Sequence, residues 1–248
     1  MTTTVDKSYI GKGEIFGKRN GVNEAKRSFG NCHSLSISTS LQERSLADFR
    51  STSGGSANSS SRIDTVTGSI DMRDVTAQNL AASGWGTVTA VTAGAVTDEA
   101  HTGYVGGLIR TAYNIDSAQT VTVTGTGGTP TYVAGTDYEV RPAGILVLSG
   151  GSISDSTALE ISYTKLAGNR VEFMVASGVE YELTFDGLNE AQSGEPMVVD
   201  IWRFKPAPFQ TFDLLGDDYA TLTIAGEFLK DSTKGAGESG FFRADSVA

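Results

Sequence analysis

The stretch Thr136–Gly151, "TDYEVRPAGILVLSGG", reads as a complete β-hairpin. One strand ends at Val140, Pro142–Gly144 supplies the turn, and Ile145–Leu148 is an apolar return strand. Around it, residues 98–167 hold short strands at close spacing with turn signals between them. The last of these alternates Leu159, Ile161 and Tyr163 with Glu160 and Ser162. This texture predicts a small β-sandwich lying inside a chain of different character.

On either side the strands are longer. "HSLSISTSLQ" sets Leu35, Ile37, Thr39 and Leu41 against Ser36, Ser38, Ser40 and Gln42, the period of a half-buried strand. "RIDTVTGSIDM" repeats the pattern, with Val66, Ile70 and Met72 opposed by Thr65, Thr67, Ser69 and Asp71. Between them "STSGGSANSSS" (Ser51–Ser61) reads as a flexible polar tip on a long hairpin. "RDVTAQNLAASGW" is the best helix candidate, with Asp74 or Thr76 to cap its start and Gly84 to end it. "VEYELTF" places Val179, Tyr181, Leu183 and Phe185 inward and Glu180, Glu182, Thr184 and Asp186 outward. "MVVDIWRF" and "DYATLTIAGEFLKD" complete the second set of strands. The first thirty residues, with basic Lys18, Arg19, Lys26 and Arg27, read as an extended arm. The expected organisation is a β-rich host domain of residues 1–97 and 168–248, interrupted by an insert at 98–167. Such insertions are tolerated where strand ends lie close together.

The totals fit this reading and exclude others. In 248 residues, 30 glycines and 5 prolines with a 39% hydrophobic fraction suit an all-β globular chain. No apolar run approaches the roughly 18 residues of a membrane helix, and the first residues carry no secretory h-region. The single cysteine, Cys32, excludes an internal disulfide, and no zinc-ligand spacing occurs. A formal net charge of −10 argues against a surface that grips nucleic acid.

Catalytic patterns fail one by one. Cys32 and His33 are adjacent on a strand and so point to opposite faces, which prevents a nucleophile–base pair. His101 lies in a glycine-rich connection. "GKGEIFG" (Gly11–Gly17) neither follows a strand nor opens a helix, as a phosphate loop must. Glu180 and Glu182 are spaced roughly 7 Å apart, within reach of a glycosidase pair, but no aromatic sugar platform accompanies them. No cofactor or metal is implied. What remains are several long strands with a polar, weakly charged face. Open sheets leave unpaired edges, and closure between subunits turns several sheets into one barrel with a wet interior.

At this point the chain resembles the major tail tube proteins of long-tailed, non-contractile bacteriophages. The resemblance rests on "IGKGEIFGKRNG…RSFGNCHSLSISTSLQE" (Ile10–Glu43), the hairpin and helix "DVTAQNLAASG" (Asp74–Gly84), and the inserted module with "GTPTYVAGTDYEVRPAGILVLSGG" (Gly128–Gly151). It implies a tail-tube-type β-sandwich or barrel subunit carrying a small immunoglobulin-like β-sandwich that faces outward. It further implies a virion structural protein, assembled in the host cytoplasm into hexameric rings that stack as a tube for DNA ejection. The partners are then other copies of the chain, tail-tip initiator and tail terminator proteins, and DNA in transit. Lys18, Arg19, Lys26 and Arg27, with tip residues Ser51, Ser53, Gly54, Gly55, Asn58 and Ser61, are the expected inter-ring contacts. Glu180, Glu182, Thr184 and Asp186 are the expected lumen face, repelling phosphates over a Debye length of about 8 Å. The competing readings are a β-sandwich adhesin or carbohydrate-binding module, and a tail terminator or capsid decoration protein. The first predicts exposed aromatics on the insert, where Tyr104, Tyr113, Tyr132, Tyr138 and Tyr163 stand mostly at packing positions.

Overall fold

A computed structural model describes residues 7–50, 52 and 54–247. In chain order the strands begin β1 (Gly11–Arg19), β2 (Arg27–Ser28), β3 (Cys32–Ala47) and β4 (Ser56–Met72), followed by helix α1 (Ala77–Ser83). Then come β5 (Thr87–Val91), β6 (Gly94–Gly103), β7 (Leu108–Arg110), β8 (Thr122–Gly125), β9 (Thr131–Tyr132), β10 (Tyr138–Arg141), β11 (Gly144–Val147) and β12 (Thr157–Lys165). The last are β13 (Gly168–Glu172), β14 (Tyr181–Asn189), β15 (Glu195–Pro206), β16 (Leu222–Phe228) and β17 (Phe242–Ser246), with a 3-10 turn at Glu190–Gln192. The fold is all-β with one short α-helix among the described residues.

The chain forms two compact units. One runs to Val88 and resumes at Val171; the other is Thr89–Arg170. The second unit therefore starts ahead of residue 98, where the sequence placed the insert, and ends just past 167. The reason is β6: it pairs with β12 from Gly94↔Lys165 to Gly103↔Thr157, so Gly94–Thr97 belong to the sandwich. That pairing also places His101 on a strand opposite Leu159, not in a loose connection.

The first unit is built on a sheet in the order β2-β1-β14-β15-β16-β4-β3, with β17 also on β15. One edge of β15 pairs with β14 along its length. The other edge is shared by β17 at Met197–Ile201 and β16 at Phe204–Pro206. The sheet therefore turns at β15, and its two halves share one apolar core. Ile15, Leu183 and Ile201 come from one half, and Val66, Ile70, Met72, Leu222 and Ile224 from the other. Phe204 and Phe228 meet edge to face between them, ring centroids 5.4 Å apart. Helix α1 is short and stands on its caps. Thr76 accepts a hydrogen bond from the Asn79 N–H, and the Gly84 N–H donates to the Leu80 carbonyl. Asp74 is not the cap; its carboxylate accepts from the Asn31 N–H. The buried Asn79 amide donates to the carbonyls of Phe29 and Asp74, tying the helix to the start of β3.

The second unit is a sandwich of β10-β11-β7 against β6-β12-β8-β9. Its core gathers Ile115, Val123, Ile145, Val147, Leu159 and Ile161 with Tyr132, Tyr138 and Tyr163. The Tyr138 hydroxyl donates to the Val121 carbonyl at 2.9 Å, satisfying a buried polar group. Asp137 accepts the Ser152 and Val133 N–H groups at 2.6 and 2.7 Å. Those bonds hold its carboxyl below the ordinary aspartate value. Gly144 opens β11 at φ +148°, where an added Cβ would lie 1.9 Å from the Ile109 carbonyl oxygen, so only glycine fits.

Candidate assembly surface

The polar strand faces and the sheet edges of the first unit are the features that the sequence singled out for assembly. The β3–β4 hairpin is far longer than the sheet that supports it. β16 pairs with the Thr67–Met72 end of β4, and among the described residues β3 is the last strand of the sheet, hydrogen-bonded to β4 alone. A strand of 16 residues leaves about 50 Å of backbone edge without a neighbouring strand. The overhanging part carries apolar side chains into solvent: Leu41, Leu46 and Ile63 are more than half exposed, and Phe49 is 90% exposed. Leu41 stands on the side that the alternation of β3 assigns to the core, and a register shift beside it brings Ile63 opposite. The core does not extend that far.

The tip is shorter than the sequence suggested. Residues 56–61, expected in a flexible loop, are strand: Asn58 pairs with Leu46 and Ser61 with Glu43. The two chains are already in register here, so polar residues are carried along the ladder. The turn closes with the Asp48 N–H on the Gly55 carbonyl, and Gly54 and Gly55 take φ of +67° and +116°. Ser51 and Ser53 lie outside the described residues.

The N-terminal segment is a second correction. Read as an arm, it is instead the packed strand β1, paired with β14 from Gly11↔Asn189 to Arg19↔Tyr181, with Ile15 in the core. The short glycine-separated apolar pairs hid the pattern, because only Ile15, Gly17 and the later Phe29 face inward. Along Gly11–Glu14 the outer edge of β1 has no strand partner among the described residues, since β2 covers only Phe16 and Gly17. The unit thus ends in an uncovered edge at each side.

Of the expected contact residues, Lys18 and Lys26 are engaged within the chain. Their ammonium groups lie 3.1 and 2.8 Å from the Glu182 carboxylate. Arg19 and Arg27 are exposed beside Tyr181.

The expected acidic face is accordingly an ion-pair network. Arg203 binds Glu180 through two N–H groups, at 2.8 and 3.0 Å. Lys26 also donates to Thr184, which donates to Asp200 at 2.7 Å, and Asp200 pairs with Arg243. Partial burial pushes the Glu182 carboxyl up, but hydrogen bonds and charge from Lys26 and Lys18 outweigh it and leave it below its ordinary value. Arg203 does the same for Glu180, more directly. Asp186 is exposed, opposite Glu14 on β1. The lysines that neutralise this face are over 150 residues away in sequence, so strand alternation could not reveal them.

The other half of the sheet presents hydroxyls. Ser36 bonds Ser69 at 2.8 Å and Ser40 bonds Thr65 at 2.7 Å, while Ser34 and Thr223 both donate to Asp71. Those two donors depress the Asp71 carboxyl. Near the start of this ladder a groove of about 680 Å³ opens between the sheet halves, lined by Tyr9, Ile15, Leu35, Ile37, Phe185 and Val199 among others. Cys32 and His33 both border it, His33 standing at a β-bulge that relaxes the strict alternation expected of them. Burial pushes the Cys32 thiol up to about 11, helped by the negative charges of Asp74 and Glu14. The sequence missed one more feature, a connection between β15 and β16 with Leu214, Leu215 and Tyr219 each more than three-quarters exposed.

These features define an all-β chain with a sandwich inserted into an open-edged sheet. By sequence it belongs to the family described as Protein of unknown function UCP028589, whose model matches residues 8–245 and so spans both units. No curated protein matches the chain.

Proposed function

We propose that the chain is a structural subunit that polymerises by edge-to-edge strand pairing, forming stacked hexameric rings of a bacteriophage tail tube. The observation that carries this reading is the unpaired β3 edge at one side of the sheet, with the uncovered Gly11–Glu14 edge at the other. Two different edges of one sheet favour head-to-tail contacts, which close into rings when the rotation permits. Pairing there satisfies backbone groups and covers a long strand that a monomer leaves open. The overhanging hairpin, with Leu41, Leu46, Phe49 and Ile63, then packs on further copies.

A lumen lined by the polar faces suits DNA transit. The hydroxyls of the β3–β4 ladder are paired with each other, and the cations Lys18, Lys26 and Arg203 are committed to Glu182 and Glu180. Phosphates meet few free cations, so passage is non-adhesive by compensation rather than by repulsion. The role is structural, in the virion, with tail-tip and terminator proteins closing the ends.

The test is size-exclusion chromatography with light scattering over a concentration series, beside negative-stain electron microscopy. Hollow tubes or six-fold rings are expected. Leu41→Lys with Leu46→Lys is expected to yield monomers whose thermal melt is unchanged. A wild-type chain monomeric at every concentration, or an unimpaired double variant, overturns the reading. A closed oligomer that never stacks replaces it with a terminator role.

A further inference from the structure

The second unit is acidic: Asp and Glu outnumber its four basic side chains, Arg110, Arg141, Lys165 and Arg170. Arg141 pairs with Glu139. The other three gather at Tyr113, two over its ring and Arg110 on its carbonyl. Lys165 Nζ lies 4.4 Å and Arg170 Cζ 5.0 Å from the centroid of Tyr113. Arg110 Nη1 donates to the carbonyls of Thr111, Tyr113 and Ala143, and its Nη2 to Asn114 Oδ1.

Among the described residues no carboxylate stands within ion-pair distance of these three cations. Glu99 reaches the same turn but is already engaged, accepting from Tyr163, the Ala112 N–H and His101. Arg170 donates one N–H to the Ala112 carbonyl and keeps the rest of its five-donor fork. The Lys165 ammonium lies over the ring and, among the described residues, forms no ion pair. Beside them opens a cavity of about 270 Å³, lined by Arg110, Tyr113, Asn114, Asn169 and Arg170 among others.

Three like charges held together repel one another, and an acidic unit has carboxylates to spare for relieving that. From the geometry we infer that this cavity binds an oxyanion, a carboxylate or phosphate group on a ligand no larger than a monosaccharide. The Arg170 fork, which lines the cavity, matches either group in two-point fashion, and Lys165, over the same Tyr113 ring but outside the lining, adds positive potential beside it. The Asn114 and Asn169 amides border the remaining space and suit ligand hydroxyls. The site belongs to the second unit alone and does not depend on the assembly reading.

The experiment is calorimetric titration of the full chain at low salt with D-galacturonate, inorganic phosphate and neutral galactose. At least one anion binds and galactose does not, and added salt weakens the binding. Lys165→Ala with Arg170→Ala lowers affinity at least about tenfold, the worth of one charge-assisted hydrogen bond. Arg170→Lys, which keeps the charge and loses the fork, weakens binding less and decides the matter if the double variant melts early. Arg141→Ala leaves binding unchanged. Tighter galacturonate identifies a carboxylated ligand, tighter phosphate a phosphorylated one. The inference falls if neither anion binds, if galactose binds as well as galacturonate, or if Arg141→Ala costs as much as the double variant.

Discussion

Glu182→Gln distinguishes an acidic face from an ion-paired one by the sign of its effect. If Glu182 stood on a free acidic face, with Glu180 and Asp186 on the same strand, losing its charge would relieve repulsion and stabilise the fold slightly. In the structure it bridges Lys18 and Lys26, with side chains about 27–30% exposed. Pairs this accessible are worth roughly 0.2–1 kcal/mol each after screening and side-chain ordering. Losing both, and leaving two lysines together, therefore destabilises by about 1 kcal/mol. For a unit of this size that lowers the melting temperature by about 2–4 °C. Both tryptophans, Trp85 and Trp202, lie in the first unit, so their fluorescence reports its unfolding without interference from the second. The effect also has a pH signature. The folded pKa of Glu182 is depressed, so its contribution is present above the unfolded value of about 4.3 and is lost as pH falls through the folded pKa. Wild type and variant converge under acid and in high salt. A variant that melts higher than wild type at neutral pH, or a gap that survives both acid and salt, refutes the network.

The remaining predictions concern other parts of the chain. Cys32, with its thiol pushed up to about 11 by burial and by Asp74 and Glu14, carries about a hundredfold less thiolate at pH 8 than an ordinary cysteine. Iodoacetamide labelling is expected to be slower by at least that factor in the folded chain than in urea, and equal rates would contradict the burial. Replacing Thr89–Arg170 by an Asn-Gly turn is expected to leave the first unit folded. β5 and β13 pair where the chain leaves and returns, and Met174 and Val175 continue that pairing onto Gly84 and Trp85. A shortened chain lacking a cooperative tryptophan-fluorescence melt would show that the unit depends on its insert.

How much of this was legible depended on the distance over which each signal acts. The period-two pattern of Val66, Ile70 and Met72 is local, and each of these side chains is buried as the alternation requires. The hairpin at Tyr138–Val147 was legible for the same reason, because Pro142 and Gly144 fix a turn by their own backbone preferences. The partner of a strand is not local. Nothing within "GKGEIFGKR" states that it lies beside "YELTFDGLN", and without that pairing Lys18 looks free and Glu182 looks acidic. Charges read from one strand give only half of a cross-strand account.

The same limit explains the overhanging hairpin and shapes the assembly argument. Alternation says which side of a strand a residue takes, not whether anything is there to meet it. Leu41 obeys the pattern, and Ile63 joins it through the register shift at Ser40/Leu41, yet both still face solvent, because β16 stops at the level of Thr67. A chain that places Leu41, Leu46, Phe49 and Ile63 past the end of its own core carries apolar side chains that its own fold does not use. Folding alone gives no return for that apolar surface, since a monomer is more soluble without it. The sequence of the distal hairpin makes physical sense when its missing half is supplied by another molecule. On the proposed assembly, a second copy of the same chain supplies it, bringing the shorter open edge at Gly11–Glu14 to the β3 edge.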